Sequence, residues 1–198
     1  MDAVTKTMSG GRMVSAERVS IVPRTGAEWF LAITRIIIGY MWFQSTLWKL
    51  PPTFGCSPDF AFTTDLAHPT AGLCDFIGRQ ATAGSLDFYR AFLTGLVEPN
   101  IRLFGLFVYL TETAIALSLL FGFLTRLGGL VGALQSLVIG VGFLGVPNEW
   151  VWTYIFMLLI NLALAVFAAG RTFGVDVWLR QRFAQQPGWL GELVRRTT

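Results

Sequence analysis

The residues best suited to chemistry in this chain are single polar side chains set inside long apolar runs. Arg35, Glu112, Gln135 and Asn161 each interrupt a different run. Such groups are costly in hydrocarbon, so they should face protein or a water-filled cavity, and opposite charges should pair there. We therefore predict an ion pair between Arg35 and Glu112. A helical rise of about 1.5 Å per residue, counted from the flanking arginines, places all four side chains in one polar layer.

Two interpretations of this polar layer remain open at the level of sequence. In the first, Arg35 and Glu112 form a structural ion pair, and the amides of Gln135 and Asn161 join helices by hydrogen bonds. In the second, the same four groups line a pocket that binds a ligand. Trp42 lies deeper in its run than most of the other tryptophans, which gather near the ends of the runs. It is therefore a candidate to line an apolar pocket for a ring.

Cys56, Cys74 and the single histidine, His68, fall in one polar connection between apolar runs. An outward location permits a disulfide, with free thiols or a thiol that reacts with a sulfur substrate as the alternatives. The spacing matches no standard zinc site, so no metal is expected. One histidine is too few for a bis-histidine haem, and no glycine-rich nucleotide fingerprint predicts a bound flavin.

The composition requires that these residues be held by membrane helices. The chain is 54% hydrophobic and 14% charged, and its mean hydropathy is +0.58. These values indicate an integral membrane protein in the lipid bilayer, and no nucleic-acid motif is present. Four apolar runs, at residues 29–50, 101–123, 127–146 and 150–169, are each near the length that spans a bilayer. The predicted fold is an all-α, four-transmembrane-helix bundle.

The remaining segments divide the chain into a tail (1–28), a membrane domain (29–169) with an outer loop (51–100), and a second tail (170–198). Apolar pairs repeat every four residues from 88 to 97, which predicts an interfacial helix in the outer loop. The second tail is basic and predicts an amphipathic C-terminal helix. Positive charges in both tails and in the 124–126 turn predict that both termini are cytoplasmic in a multi-pass protein of the cell (inner) membrane.

Several motifs resemble the DoxX-like superfamily. They are Arg35-x3-Gly39-x2-Trp42-Phe43 with Trp48-Lys49-Leu50, Glu112 followed by Gly122-Phe123-Leu124-Thr125-Arg126, Asn148-Glu149-Trp150-x-Trp152-Thr153-Tyr154, and Ala169-Gly170-Arg171-x2-Gly174-x-Asp176. The last two look most like the DoxD branch, the membrane subunit of thiosulfate:quinone oxidoreductase. The resemblance implies thiosulfate oxidation to tetrathionate, quinone as the electron acceptor, and a second small subunit as partner.

On this hypothesis the polar layer serves a quinone-linked reaction. The expected roles are catalysis by Arg35 and Glu112, quinone binding by Trp42, Phe43, Gln135 and Asn161, and binding of an anionic sulfur substrate at the outer face by Lys49. A non-catalytic subunit that anchors or assembles a larger membrane complex is the main alternative. A small transporter or channel, formed by several copies of the chain, is the third.

Overall fold

The computed structural model describes residues 25–62, 65–70, 72–183 and 188–198, so nearly all of the predicted N-terminal tail lies outside the described residues. All regular secondary structure in these ranges is helical. The α-helices are α1 (Gly26–Leu47), α2 (Leu73–Ala83), α3 (Asp87–Phe92), α4 (Ile101–Phe121), α5 (Thr125–Gly142), α6 (Trp152–Val166), α7 (Val175–Phe183) and α8 (Trp189–Thr197).

Three of the described helical segments are long and apolar enough to cross a membrane. They are Gly26–Leu47, Asp87–Phe121 and Thr125–Gly142, whereas α6 is apolar but has only 15 residues. The structure therefore confirms a helical membrane protein. A fourth span through α6 stays a prediction.

Helix α1 begins three residues before the predicted run because Thr25 and Glu28 form a reciprocal cap. The Glu28 amide donates to Thr25 Oγ1 (3.3 Å), and the Thr25 amide donates to a Glu28 carboxylate oxygen (3.4 Å). This arrangement satisfies two amides that the first turn leaves without helical partners. The helix ends at Leu47, shortly before Pro51 and Pro52.

A helix forms at the predicted interfacial position in the outer loop, but it does not stand alone. After α3, the chain passes through a π-helical turn (Leu93–Val97) and a 3-10 turn (Glu98–Asn100) directly into α4. Pro99 has no amide hydrogen to donate, so a regular α-helical pattern is interrupted near it. The wide turn buries Leu93 and Val97. Whether this segment lies on a membrane surface stays a prediction.

Small residues set how closely the helices approach. A Cβ at Gly39 of α1 would lie 2.7 Å from the Leu120 amide nitrogen of α4, so these two helices touch through backbone. A Cβ at Gly129 of α5 would lie 2.7 Å from the Asn161 carbonyl oxygen of α6. The small side chains of α5 thus allow close packing against α6. The core between these helices contains Ile38, Trp42, Ile115, Ala116, Leu119, Leu164 and Ala169.

Candidate functional site

A cavity of about 350 Å³ lies between α2, α3, α4 and α5, and we call it the α2–α5 pocket. Most of its wall is apolar. Its lining includes the aromatic residues Phe76, Tyr89, Phe92, Phe104 and Phe107 and the polar residues Lys49, Gln80, Thr111, Glu112 and Gln135. This volume and this mixture of a hydrophobic wall with a few polar groups are typical of sites for small organic ligands.

The polar end of the α2–α5 pocket is a buried ion pair between Lys49 and Glu112. The Lys49 ammonium donates to Glu112 Oε1 (2.6 Å) and also contacts Oε2. Ser45 accepts a hydrogen bond from Lys49 (2.9 Å) and donates one to Glu112 Oε2 (2.9 Å). Lys49 is 3% exposed and Glu112 is fully buried. Each charge is therefore stabilised by the other and by the Ser45 hydroxyl.

Gln135 reaches the same end of the pocket because α4 and α5 are antiparallel. A Cβ at Gly128 would meet the side chain of Ser118, and one at Gly132 would lie 3.2 Å from Ile115. Moving four residues along α5, from Gly128 to Gly132, therefore corresponds to moving three residues back along α4, from Ser118 to Ile115. Three further residues on each helix bring Gln135 level with Glu112. The prediction that these two residues share one depth agrees with this register.

The predicted ion pair between Arg35 and Glu112 is wrong. Helix α1 is antiparallel to α4, and Gly39 packs at Leu119 and Leu120. Arg35, one turn before Gly39, therefore lies beside Gly122, about ten residues along α4 from Glu112, or about 15 Å at the helical rise. The depth estimate failed because α1 begins at Gly26, nine residues before Arg35, and therefore extends past the end of α4 at Phe121, which a count from the flanking arginines does not show.

Arg35 instead connects α1 to the segment that leads into α7. Its Nη2 donates to the Phe173 carbonyl oxygen (2.9 Å), and its guanidinium lies near the Asp176 carboxylate. The carboxylate accepts hydrogen bonds from the amides of Leu124 (2.7 Å) and Thr125 (2.9 Å) at the start of α5. Burial raises the Asp176 pKa, although these amides and Arg35 act in the opposite direction. The arrangement holds α7 against the α4–α5 turn.

Trp42, Phe43 and Asn161 lie away from the α2–α5 pocket. Trp42 Nε1 donates to Asn161 Oδ1 (3.3 Å), and Asn161 Nδ2 donates to the Met157 carbonyl oxygen (2.7 Å), all within the core of the bundle. Phe43 is 40% exposed on the outside of α1. Of the residues predicted to bind quinone, only Gln135 lines the pocket.

Lys49 and the two cysteines also have defined positions. The prediction that Lys49 faces a substrate at the outer loop surface is wrong, because its ammonium is buried against Glu112.

Cys56 and Cys74 form a disulfide, which joins the loop after α1 to the first turn of α2. The disulfide belongs to a second core cluster with Phe54, Leu73 and Ile77.

Helix α2 covers one side of the pocket, and it was not predicted from the sequence. Arg79 is 6% exposed, donates from Nε to Asp75 Oδ2 (2.9 Å), and also pairs with Glu149 in the α5–α6 connection. The Tyr154 hydroxyl donates to Glu149 (3.3 Å). These contacts hold α2 over the bundle so that Phe76 forms part of the pocket wall. The only advance signal is the four-residue spacing of Asp75 and Arg79, which places them on one helical face.

A second, more open cavity of about 510 Å³ lies at the N-terminal end of α4. Its charged lining residues are Asp59, Glu98 and Arg102, and the Arg102 guanidinium stacks 4.8 Å from the Phe60 ring centroid. Two carboxylates against one guanidinium give this surface no excess of positive charge for an anion.

Comparison with known proteins gives one match. A family model described as "TQO small subunit DoxD" matches residues 74–195, from the first turn of α2 to the last turn of α8. No curated protein and no solved structure matches the chain. The match confirms the resemblance found in the motifs, and it includes Glu112, Gln135 and Asp176, whereas Arg35 and Lys49 precede it. Because it covers more than half of the sequence, this chain belongs to the DoxD family, described as the small subunit of thiosulfate:quinone oxidoreductase.

Proposed function

We propose that this chain is the membrane subunit through which a thiosulfate:quinone oxidoreductase binds its quinone, and that the α2–α5 pocket is the binding site. The observation that carries the proposal is a buried Lys49–Glu112 pair at one end of an otherwise apolar cavity. A quinone has an apolar ring with two carbonyl acceptors. It therefore suits a site with an apolar wall and a few hydrogen-bond donors.

The residues at the polar end have separable roles in this proposal. A bound quinone would accept two electrons and two protons. The Lys49 ammonium is the group that would hydrogen-bond a carbonyl oxygen and supply one of the two protons, after exchanging its bond to Ser45 or to one Glu112 oxygen for the bond to the quinone. Glu112 and Ser45 hold that ammonium in place, and the Gln135 amide would orient the ring from α5. Thus Lys49, predicted from sequence to bind an anion, becomes a ligand donor. Glu112, predicted to be catalytic, becomes a residue that positions Lys49, and Gln135 keeps its predicted role in quinone binding.

The oxidation of thiosulfate is better assigned to a partner subunit than to this chain. Lys49 is neutralised by Glu112, and the open outer cavity is lined by two carboxylates. Neither site suits a divalent anion, which requires unpaired positive charge. The family is described as a small subunit, which supports a complex that also contains a subunit for the sulfur chemistry.

The proposal includes a membrane arrangement. We place four spans across the cell membrane, with α6 as the shortest and both termini cytoplasmic, on the basis of the positive charges in the tails and the 124–126 turn. The α2–α5 pocket then lies in the outer half of the bilayer. Arg35, Trp42 and Asn161 have structural roles, because they lie in contacts between helices.

The test uses the full chain purified with its copurifying subunits and reconstituted in nanodiscs. Thiosulfate-dependent reduction of decylubiquinone is followed optically for the parent, for Gln135→Leu and for the double variant Lys49→Met/Glu112→Gln. The double variant removes both charges together and so leaves neither one unpaired. Gln44→Leu is the matched control, because Gln44 is exposed on α1 away from the pocket.

We expect the double variant to lose at least 90% of the activity, Gln135→Leu to raise the KM several-fold, and the control to match the parent. Full activity in the folded double variant would disprove the pocket assignment. If the parent binds no quinone but remains stoichiometric in an active complex, the chain is an anchoring subunit, as in the alternative from sequence.

A further inference from the structure

We infer that the α2–α5 pocket opens sideways into the bilayer, between Phe107 of α4 and Leu134 of α5, and takes a quinone whose hydrocarbon tail leaves the protein there. This inference rests on the proposed function, because it places the quinone ring at the Lys49–Glu112 end. It adds a route of entry, and it makes the residues at this opening determinants of tail specificity.

The opening is defined by residues that both line the pocket and are exposed. Phe107 is 66% exposed and Leu134 is 61% exposed, and both are pocket-lining residues. Each belongs to a helix that is long and apolar enough to cross a membrane. Their exposed surfaces therefore face lipid, and the same pocket includes the ion pair and these two residues.

The small and the large residues of α5 lie at different positions around the helix. An added Cβ at Gly128 would meet Ser118 of α4, and one at Gly132 would lie 2.5 Å from Asn161 of α6 and 3.2 Å from Ile115 of α4. The pocket-lining residues of α5 are larger, from Val131 and Leu134 to Val138 and Ile139. Helices approach closely at small residues and separate at large ones. The opening at Leu134 therefore lies among the large side chains that hold α5 away from α4.

The opening suits a hydrocarbon chain and no polar group. Phe107, Leu134 and Val138 offer no side-chain donor or acceptor, so only an apolar segment is accommodated without loss of hydrogen bonds to water. A polar contact beside the opening, from the Tyr89 hydroxyl to the Val138 carbonyl oxygen (3.2 Å), is already formed within the protein. A cavity of about 350 Å³ is at the low end for small-molecule sites, which fits a ring and the first part of a tail.

The first experiment compares two probes in nanodiscs that contain the full chain and its copurifying subunits. The probes are decylubiquinone and the same ring without a tail, 2,3-dimethoxy-5-methyl-1,4-benzoquinone. Each affinity is expressed per mole of probe in the membrane, with protein-free nanodiscs as the reference for partition. Leu134→Trp fills the opening, and Leu130→Trp is the matched control, because Leu130 is exposed one turn away on α5 and does not line the pocket.

We expect the parent and Leu130→Trp to bind the decyl probe at least tenfold more tightly than the tailless probe. Leu134→Trp should lose this preference and keep its affinity for the tailless probe within about twofold. A preference retained in Leu134→Trp, or lost equally in Leu130→Trp, would overturn the sideways opening.

A second measurement needs no variant. A quinone with a photoreactive group at the end of its tail should label peptides that contain Phe107, Leu134 or Val138 in the parent, and labels elsewhere would contradict the inference.

The double variant Lys49→Met/Glu112→Gln separates the two proposals. If tailless binding is unchanged in that variant, the proposed site fails. If that binding is lost but the tail labels other residues, only the opening fails.

Discussion

At the scale of single residues, the partner of a buried charge determines what the charge can do. Glu112 is fully buried, and Lys49 rather than Arg35 neutralises it. The three ammonium hydrogens of Lys49 reach both Glu112 oxygens and Ser45, so a ligand would accept one of them in place of a present acceptor. Arg35 does not line the α2–α5 pocket, because it is packed between Gly122, Phe173 and Gly174. Only Lys49 is therefore placed to meet a ligand in this pocket.

The Lys49–Glu112 pair should show strong energetic coupling. Lys49→Met or Glu112→Gln alone leaves one charge buried without its partner, and we expect a loss of about 3–5 kcal/mol in the free energy of unfolding. The double variant should recover more than half of that loss. Thermal unfolding in detergent, followed by circular dichroism, measures all three variants.

The exposed pair Arg90–Asp87 supplies the control for this cycle. Arg90→Met should change stability by less than about 1 kcal/mol, because solvent screens exposed ion pairs. If the double variant loses as much stability as the two single variants added together, the two side chains are not coupled and the pairing is wrong.

At the scale of elements, the motif that identifies the family also fixes the helix ends. Gly122 ends α4 in a left-handed conformation (φ 64°), and its carbonyl oxygen accepts a hydrogen bond from the Asp176 amide (2.8 Å). Asp176 in turn accepts from the first amides of α5. The chemistry of this end is therefore that of a helix cap and a tight turn rather than of a ligand site.

Gly122→Ala tests this role. The added Cβ would overlap Arg35 Nη1, and the left-handed conformation itself disfavours alanine. We expect a loss of about 1–3 kcal/mol, as for other residues held in sparsely populated backbone conformations. Gly95→Ala is the control, since a Cβ there meets nothing within 4 Å. Thermal unfolding of both variants measures the difference, and equal stability would show that the turn does not need glycine.

At the scale of the whole molecule, the sequence predicted what depends on local pattern and missed what depends on register. The helical membrane class and the long apolar segments follow from the composition and length of each run. The depth match of Glu112 and Gln135 agrees with the structure because both were counted from the one short turn at Arg126. Arg35 was misplaced because its depth was counted from a tail of unknown path. Helix α2 was missed because its apolar face is short and its partners lie far away in sequence.

The orientation of the bundle in the membrane is the last prediction, and it decides from which side the α2–α5 pocket receives protons. Positive charge predicts that α7 is cytoplasmic and that α3 faces outward. We expect a membrane-impermeant maleimide to label Asp87→Cys in intact cells, and to label Arg182→Cys only after the membrane is permeabilised. Both positions are exposed, and the native cysteines are joined in a disulfide and do not react. The reverse labelling would place the pocket in the cytoplasmic half of the bilayer, so that Lys49 would receive its protons from the cytoplasm.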